Sequence, residues 1–167
     1  KYLNKSLLAL VILVSFSSYI PHLTRGNVLY SEDGIYEKIT IYDGQFSGRP
    51  TRFFQQDRSD SGAMFLDSDD PKDLVYDYTK YYSLYKVFNP EIKNVLVIGG
   101  GAYSISKALL ADLPNAAIDV SEIEPSLYNL AQFFFDVDDN PRLRNYVNDG
   151  RRLLHDSNKN YDLIFSD

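Results

Sequence analysis

The run NVLVIGGGAYS, from Asn94 to Ser104, decides the fold. Val95, Leu96, Val97 and Ile98 form a short uninterrupted apolar segment, the pattern of a strand buried on both faces. Gly99, Gly100 and Gly101 follow at once. Glycines here let the backbone turn sharply and let a ligand approach the main chain. YSISKALLADL then sets Ile105, Leu109, Leu110 and Leu113 on one side of a helix. A bare glycine triplet is only a tight turn, but this one has the preceding strand and the following helix that a nucleotide-binding motif requires.

Toward the C-terminus the alternation repeats. AAIDVSEIE reads as a second strand. PSLYNLAQFFF reads as a second helix, with Pro125 in its first turn and Leu127, Leu130, Ala131 and Phe134 at i, i+3, i+4 and i+7. RLRNYVND, GRRLLHDS and YDLIFSD supply a third strand, a short helix and a fourth strand. Strands and helices alternating at this spacing imply a parallel sheet with right-handed crossovers, so the expected fold is an α/β, Rossmann-like, doubly wound sheet.

Toward the N-terminus the pattern changes. YDYTKYYSLYKVF, preceded by Asp73, Leu74 and Val75, predicts a helix with Leu74, Tyr78, Tyr81, Leu84 and Tyr85 at helical spacing. Before it, YEKITIYDG alternates with period two, Gly44 to Pro50 carries turn residues, TRFFQQD reads as the return strand of a hairpin, and AMFLD as a third strand. Farther out, Ser6 to Phe16 is uncharged and apolar; with Ser17 to Ile20 it makes about 15 residues, short of the ~20 that cross a bilayer. A membrane anchor, a signal-peptide core and a buried helix compete there, and the anchor is the preferred reading. The expected division is 1–21 apolar helix, 28–73 strand region and 74–167 nucleoside-binding domain. Lys1 in place of methionine, and a buried-strand pattern with nothing after it, read as a truncated fold from a longer protein.

Bulk properties exclude several chemistries. A net charge of −6 argues against a nucleic-acid partner, which needs clustered Lys and Arg. There is no cysteine and there are two histidines, so thiolate chemistry and histidine-rich metal sites are not expected. Acid–base work falls to carboxylates and to the 14 tyrosines.

Four strand ends carry the candidate residues. Glu122 and Glu124 close the second strand, roughly 20 residues beyond the glycines, where a carboxylate accepts both hydroxyls of a ribose. One of the two is expected to face the cleft, and Glu122 is the candidate. Asp149 and Gly150 follow the third strand; Asp149 suits an adenine amino group or the N-cap of GRRLLHDS, or both. Asp167 ends the fourth. With Gly99, these residues aim at one crevice beyond the carboxyl ends of the strands. GGGAYS lacks the spaced GxGxxG form, which counts against a NAD-dependent oxidoreductase.

VLVIGGG, VSEIEP, NPRLRNYVNDGRRLL and YDLIFSD, in this order and spacing, resemble the spermidine synthase family of polyamine aminopropyltransferases. The resemblance runs from about Val28 to the end and, with the apolar N-terminus, is similar to a membrane-attached branch of that family. It implies a class I methyltransferase-type sheet. It also implies that Glu122 binds the ribose and Asp149 the adenine of decarboxylated S-adenosylmethionine. Asp167 then helps deprotonate the attacking amine of putrescine, while Gln56 or Asp57, and Tyr76, lie near the polyamine. No metal is implied. The sequence departs from the family twice: Ala102 stands where an aspartate would hold the cofactor's free amine, and YDYTKY lacks a glutamate two residues after its first tyrosine. Both losses fall on amine recognition. They keep open an S-adenosylmethionine-dependent methyltransferase and a membrane-tethered nucleoside-binding module without turnover. The supply of such nucleosides places the catalytic domain on the cytoplasmic side of its anchor, and the tyrosine-rich helix suits a homodimer contact.

Overall fold

The computed structural model describes residues 26–88 and 91–166. The apolar segment within 1–21 and the candidate Asp167 lie outside the described residues. Among the described residues, no helix is long and apolar enough to cross a membrane.

β1 (Val28–Asp33), β2 (Lys38–Phe46), β3 (Arg49–Gln56) and β4 (Ser59–Phe65) pair antiparallel in chain order. The β2–β3 hairpin is tighter than its run of turn residues implies: only Ser47 and Gly48 turn, at φ 51° and 80°. Two consecutive positive φ values give the turn whose twist matches antiparallel partners, and glycine takes the second without strain. Alternation then divides the sheet into two apolar faces. Ile39, Ile41 and Phe54 pack with Ala102, Leu127 and Phe135 of the following domain. Tyr42, Phe53, Ala63 and Phe65 pack on the other side with Val75, and Phe46 and Tyr76 lie at the margin. The β3–β4 register breaks once: Gln55 pairs with Asp60 and Phe54 with Gly62, so Ser61 is an extra, bulged residue.

β5 (Asn94–Ile98), β6 (Ala117–Glu122), β7 (Leu143–Val147) and β8 (Leu163–Ser166) form a parallel sheet ordered β7-β6-β5-β8. The chain winds outward through three strands and then crosses to the far side of β5. That reversal is the switch point at which open α/β sheets bind ligands. Val95, Leu96, Val97, Ile118 and Val120 are fully buried, which is why their run in the sequence is continuous rather than alternating. The connecting helices are α2 (Ser104–Asp112), α3 (Leu127–Phe134) and α4 (Gly150–Asp156). The Rossmann-like α/β expectation therefore holds.

The tyrosine-rich helix differs from expectation. Only Asp77–Lys80 is α-helical (α1), and Tyr81–Phe88 continues as a 3₁₀ helix. Aromatic and β-branched side chains are mediocre α-formers, and the tighter turn moves a different set inward. Tyr78, Tyr81 and Leu84 are exposed, while Leu74, Val75, Thr79 and Tyr82 are buried. Tyr82 donates to Asp112 at 2.9 Å, and Lys86 and Lys72 reach the same carboxylate, tying this segment and the acidic loop to α2.

Candidate active site

The glycine turn and the end of β6 are one hydrogen-bonded unit. Gly99 N–H donates to the Ser121 carbonyl at 2.9 Å. Glu122, buried at 6% exposure, accepts from Gly100 N–H at 2.7 Å and Gly101 N–H at 3.4 Å on Oε2, and from Glu124 N–H at 2.8 Å on Oε1. A carboxylate offers about four acceptor positions. Glu122 thus holds the turn and keeps acceptor capacity for a ligand hydroxyl. Gly101, at φ +51°, sits in the left-handed region that glycine adopts freely.

Glu124 has another task. β6 ends at Glu122, so Glu124 lies in the turn after it. Its Oε2 accepts from Ile35 N–H at 2.7 Å and Tyr36 N–H at 3.4 Å, and its Oε1 from the Ser126 hydroxyl at 2.9 Å. Burial pushes its pKa up, but these donors outweigh it and hold the carboxyl below its ordinary range. The β1–β2 hairpin tip is thereby latched beside Glu122.

Asp149 is the N-cap of α4: Oδ1 accepts from Arg151 N–H at 2.9 Å and Arg152 N–H at 3.2 Å. The Arg152 amide, with Arg151, holds the carboxyl below its usual range. Both capping bonds use Oδ1, and the Arg151 guanidinium stands 3.5 Å from Oδ2. Gly150 is fixed by a close approach, because a Cβ there would stand 2.4 Å from Ile98 Cγ2. The structure thus brings Gly99, Gly100, Gly101, Glu122, Asp149 and Gly150 to the carboxyl ends of β5, β6 and β7.

The amine end is arranged differently. Ala102 is 3% exposed and belongs to the apolar seam with Ile39, Ile41 and Phe54; a Cβ on Gly62 would stand 2.7 Å from its methyl. Tyr76 and Ser106 line a narrow cavity with Gly62, Gly99 and Ala102, and both hydroxyls are buried without a hydrogen-bond partner among the described residues. Burial drives the Tyr76 phenol far above its ordinary pKa, and the nearby Asp60 carboxylate adds to this. Gln56 and Asp57 do not line that cavity. They border a separate, shallow one with Glu37 and Arg58, and Asp57 Oδ1 accepts from Lys38 N–H at 3.0 Å, tying the β3–β4 turn to the start of β2. The carboxylate brought to the tyrosines is Asp60 instead.

Sequence reasoning also missed Tyr103. At φ 56° it is a bulky residue in the left-handed region, yet it is fully buried. Its ring lies under Gly100, where an added Cβ would come within 2.5 Å, and its hydroxyl donates to Asn145 on β7 at 2.6 Å. The signal was an aromatic residue two positions after the last glycine of the turn. A cavity of about 490 Å³ on the flank of α2, lined by Asp70, Asp73, Lys107 and Asp136, includes none of the strand-end carboxylates. Its Lys107 ammonium is committed to the Phe135 carbonyl. Among the described residues, no His, Cys, Asp and Glu side chains converge in a metal-binding group.

A polyamine aminopropyltransferase from Alkaliphilus metalliredigens is 27% identical over 143 residues, covering 83% of this chain and 47% of the relative. Its counterpart from Vibrio vulnificus is 22% identical over 148 residues, 86% of the chain and 48% of the relative. The chain is a relative of the polyamine aminopropyltransferases. It spans about half the length of these aminopropyltransferase relatives. Solved structures agree on the fold. A probable spermidine synthase from Corynebacterium glutamicum superposes with a TM-score of 0.72 at 18% identity, covering 84% of this chain and 52% of that one. The spermidine synthase from Thermotoga maritima gives 0.61 at 20% identity, covering 83% and 47%. No family model matches the chain.

Proposed function

We propose that this chain carries the nucleoside-binding half of a spermidine synthase-like transferase. The enzyme moves an aminopropyl group from decarboxylated S-adenosylmethionine to putrescine or a related amine. The observation that carries the reading is the Glu122 clamp at the glycine turn, beside Asp149 and at the switch point, in a chain related to aminopropyltransferases. Bound there, the sulfonium nucleoside supplies an electrophilic carbon next to its positive sulfur. Glu122 holds the ribose hydroxyls, and Asp149 Oδ2 accepts from the adenine amino group while Oδ1 keeps its helix cap. Asp167, the residue after Ser166, takes a proton from the attacking ammonium, because only a neutral amine has a lone pair to give. The nitrogen–carbon bond forms as the carbon–sulfur bond breaks, and the electron pair stays on sulfur as a neutral thioether.

The buried Ala102 favours a second reading, a nucleoside-binding module without turnover. No carboxylate stands at that position to hold the nucleoside's own amine. An S-adenosylmethionine-dependent methyltransferase is the other alternative. Purified full-length protein incubated with putrescine and either nucleoside separates the three. Spermidine formed only with the decarboxylated nucleoside supports the first, and methylated amine supports the methyltransferase. Tight nucleoside binding without product supports the module. Attachment to a membrane through Ser6–Phe16, with the catalytic domain on the cytoplasmic side, belongs to the same proposal, as does a homodimer contact through exposed Tyr81, Leu84 and Val87.

A further inference from the structure

The amine end holds a carboxylate that neither the glycine turn nor the tyrosine-rich segment supplies. Without a bulge, Asp60 on β4 would share a face with Gly62 and Met64 and look into the apolar seam. The extra residue Ser61 inverts this, since Asp60 pairs with Gln55 while Phe54 pairs with Gly62. Asp60 therefore stands on the face of Phe53 and Ala63, the face that carries Tyr42 and Tyr76. Bulges re-aim side chains in this way next to active sites. Tyr42 hydroxyl donates to Asp60 Oδ1 at 2.9 Å, and Gln55 Nε2 to the same oxygen at 3.2 Å. Both bonds fall on Oδ1, which leaves Oδ2 of this exposed side chain able to accept from a ligand.

The other carboxylates nearby are committed. Asp67 and Asp73 hold Arg49 at 2.6 and 2.8 Å, and Asp77 pairs with Lys80 with its side chain 94% exposed. No ion pair forms at Asp60 among the described residues. Asp60 is exposed, and its charge is felt by Tyr76. The Tyr76 hydroxyl, like that of Ser106 on a residue 1% exposed, is buried without a partner among the described residues, in a narrow cavity lined from Ser61 onward. Tyr76 and Tyr78 stack at 6.0 Å, and Phe46 meets Tyr76 edge-on at 5.7 Å. An aromatic wall, an unsatisfied hydroxyl and an anion without a cation match an alkylammonium group.

We propose that Asp60 is a specificity-determining residue that binds the non-reacting ammonium of a diamine acceptor, with Tyr76 beside it. This rests on the transferase reading above. A diamine must give up one proton to react, and its other end stays protonated at neutral pH. That cation needs a carboxylate once it leaves water. Asp60 offers one.

The test uses full-length protein, comparing wild type with Asp60→Asn and Asp60→Glu on α,ω-diamines of three to five carbons and on a monoamine of matched length. Losing a charge-assisted hydrogen bond raises KM for the diamine about 10- to 100-fold. The expected result is that rise in Asp60→Asn with kcat nearly unchanged, an unchanged monoamine KM, partial recovery in Asp60→Glu and unaltered nucleoside affinity. An unchanged diamine KM in Asp60→Asn, in an enzyme that turns over, overturns the assignment and leaves the transferase reading intact. If wild type turns over no amine, the transferase reading fails. Titration of putrescine into the nucleoside-loaded protein then decides the matter: weaker binding to Asp60→Asn supports Asp60, and equal or absent binding in both overturns it.

Discussion

Restoring the missing aspartate by Ala102→Asp looks from the sequence like a gain of amine binding, and the structure predicts the opposite. The Ala102 methyl is 3% exposed, against Gly62 and among Ile39, Ile41, Phe54, Leu127 and Phe135. A carboxyl group there is desolvated among apolar side chains; unless it reaches the Tyr76 or Ser106 hydroxyl it costs about 1–3 kcal/mol even when it stays protonated. Forcing its extra atoms into a packed seam costs about 1–3 kcal/mol more. The sum is centred near 4 kcal/mol, which for a domain of this size lowers the melting temperature by roughly 8–16 °C. Thermal unfolding followed by circular dichroism measures this. A variant that melts within about 2 °C of wild type and binds decarboxylated S-adenosylmethionine more tightly would refute the reasoning, by showing that position 102 looks into the cleft.

Glu122→Gln should weaken nucleoside binding about 10- to 100-fold by calorimetry, since it removes the charge from the ribose acceptor; unchanged affinity would assign Glu122 to the turn alone. Asp149→Asn keeps a capping oxygen for the Arg151 and Arg152 amides, so its melting temperature should hold while adenosine-nucleoside affinity falls about tenfold. A drop in stability without a drop in affinity would reverse that assignment. Gly150→Ala should destabilise by about 1–3 kcal/mol in urea, because its methyl meets Ile98 Cγ2 at 2.4 Å. Asp112 gives a pH signature. Burial raises its pKa, and the Lys86 and Tyr82 bonds outweigh burial and lower it. Its stabilisation is therefore full above the unfolded carboxylate value near about pH 4 and is lost as pH falls through the lower folded value. Asp112→Asn should flatten that part of the stability–pH curve, and an unchanged slope would show that the network contributes nothing.

How far the sequence could be read depended on whether each feature was local. VLVIGGG and the helix after it announced themselves, because a doubly buried strand and a glycine turn each leave a contiguous pattern. Glu122 and Asp149 followed from counting to strand ends. The turn at Ser47 and Gly48 was placed only to within a few residues, since Gly44 to Pro50 offers several turn formers and pairing with β3 chooses among them. Asp60 was invisible. Its direction depends on the bulge at Ser61, which exists only in the cross-strand register with Phe54 and Gln55. Gln56 and Asp57 were named from the family resemblance, which carries no cross-strand register and so could not see the bulge. The tyrosine segment misled for another reason: 3.6-residue spacing was assumed where the chain tightens to 3₁₀, so Tyr82 rather than Tyr81 is buried.

The Glu124 latch on Ile35 and Tyr36 bears on how this architecture can be cut and recombined. A nucleoside-binding sheet is often treated as a cassette that accepts any neighbour. Here one end of the cassette's own β6 turn is completed by backbone amides from the preceding sheet, and Leu127, Phe135 and Ala102 find their apolar partners there too. A chimaera that joins β5 to β8 onto a foreign N-terminal unit would inherit an anionic side chain missing its donors and an uncovered hydrophobic seam. The two sheets therefore travel as one unit of recombination.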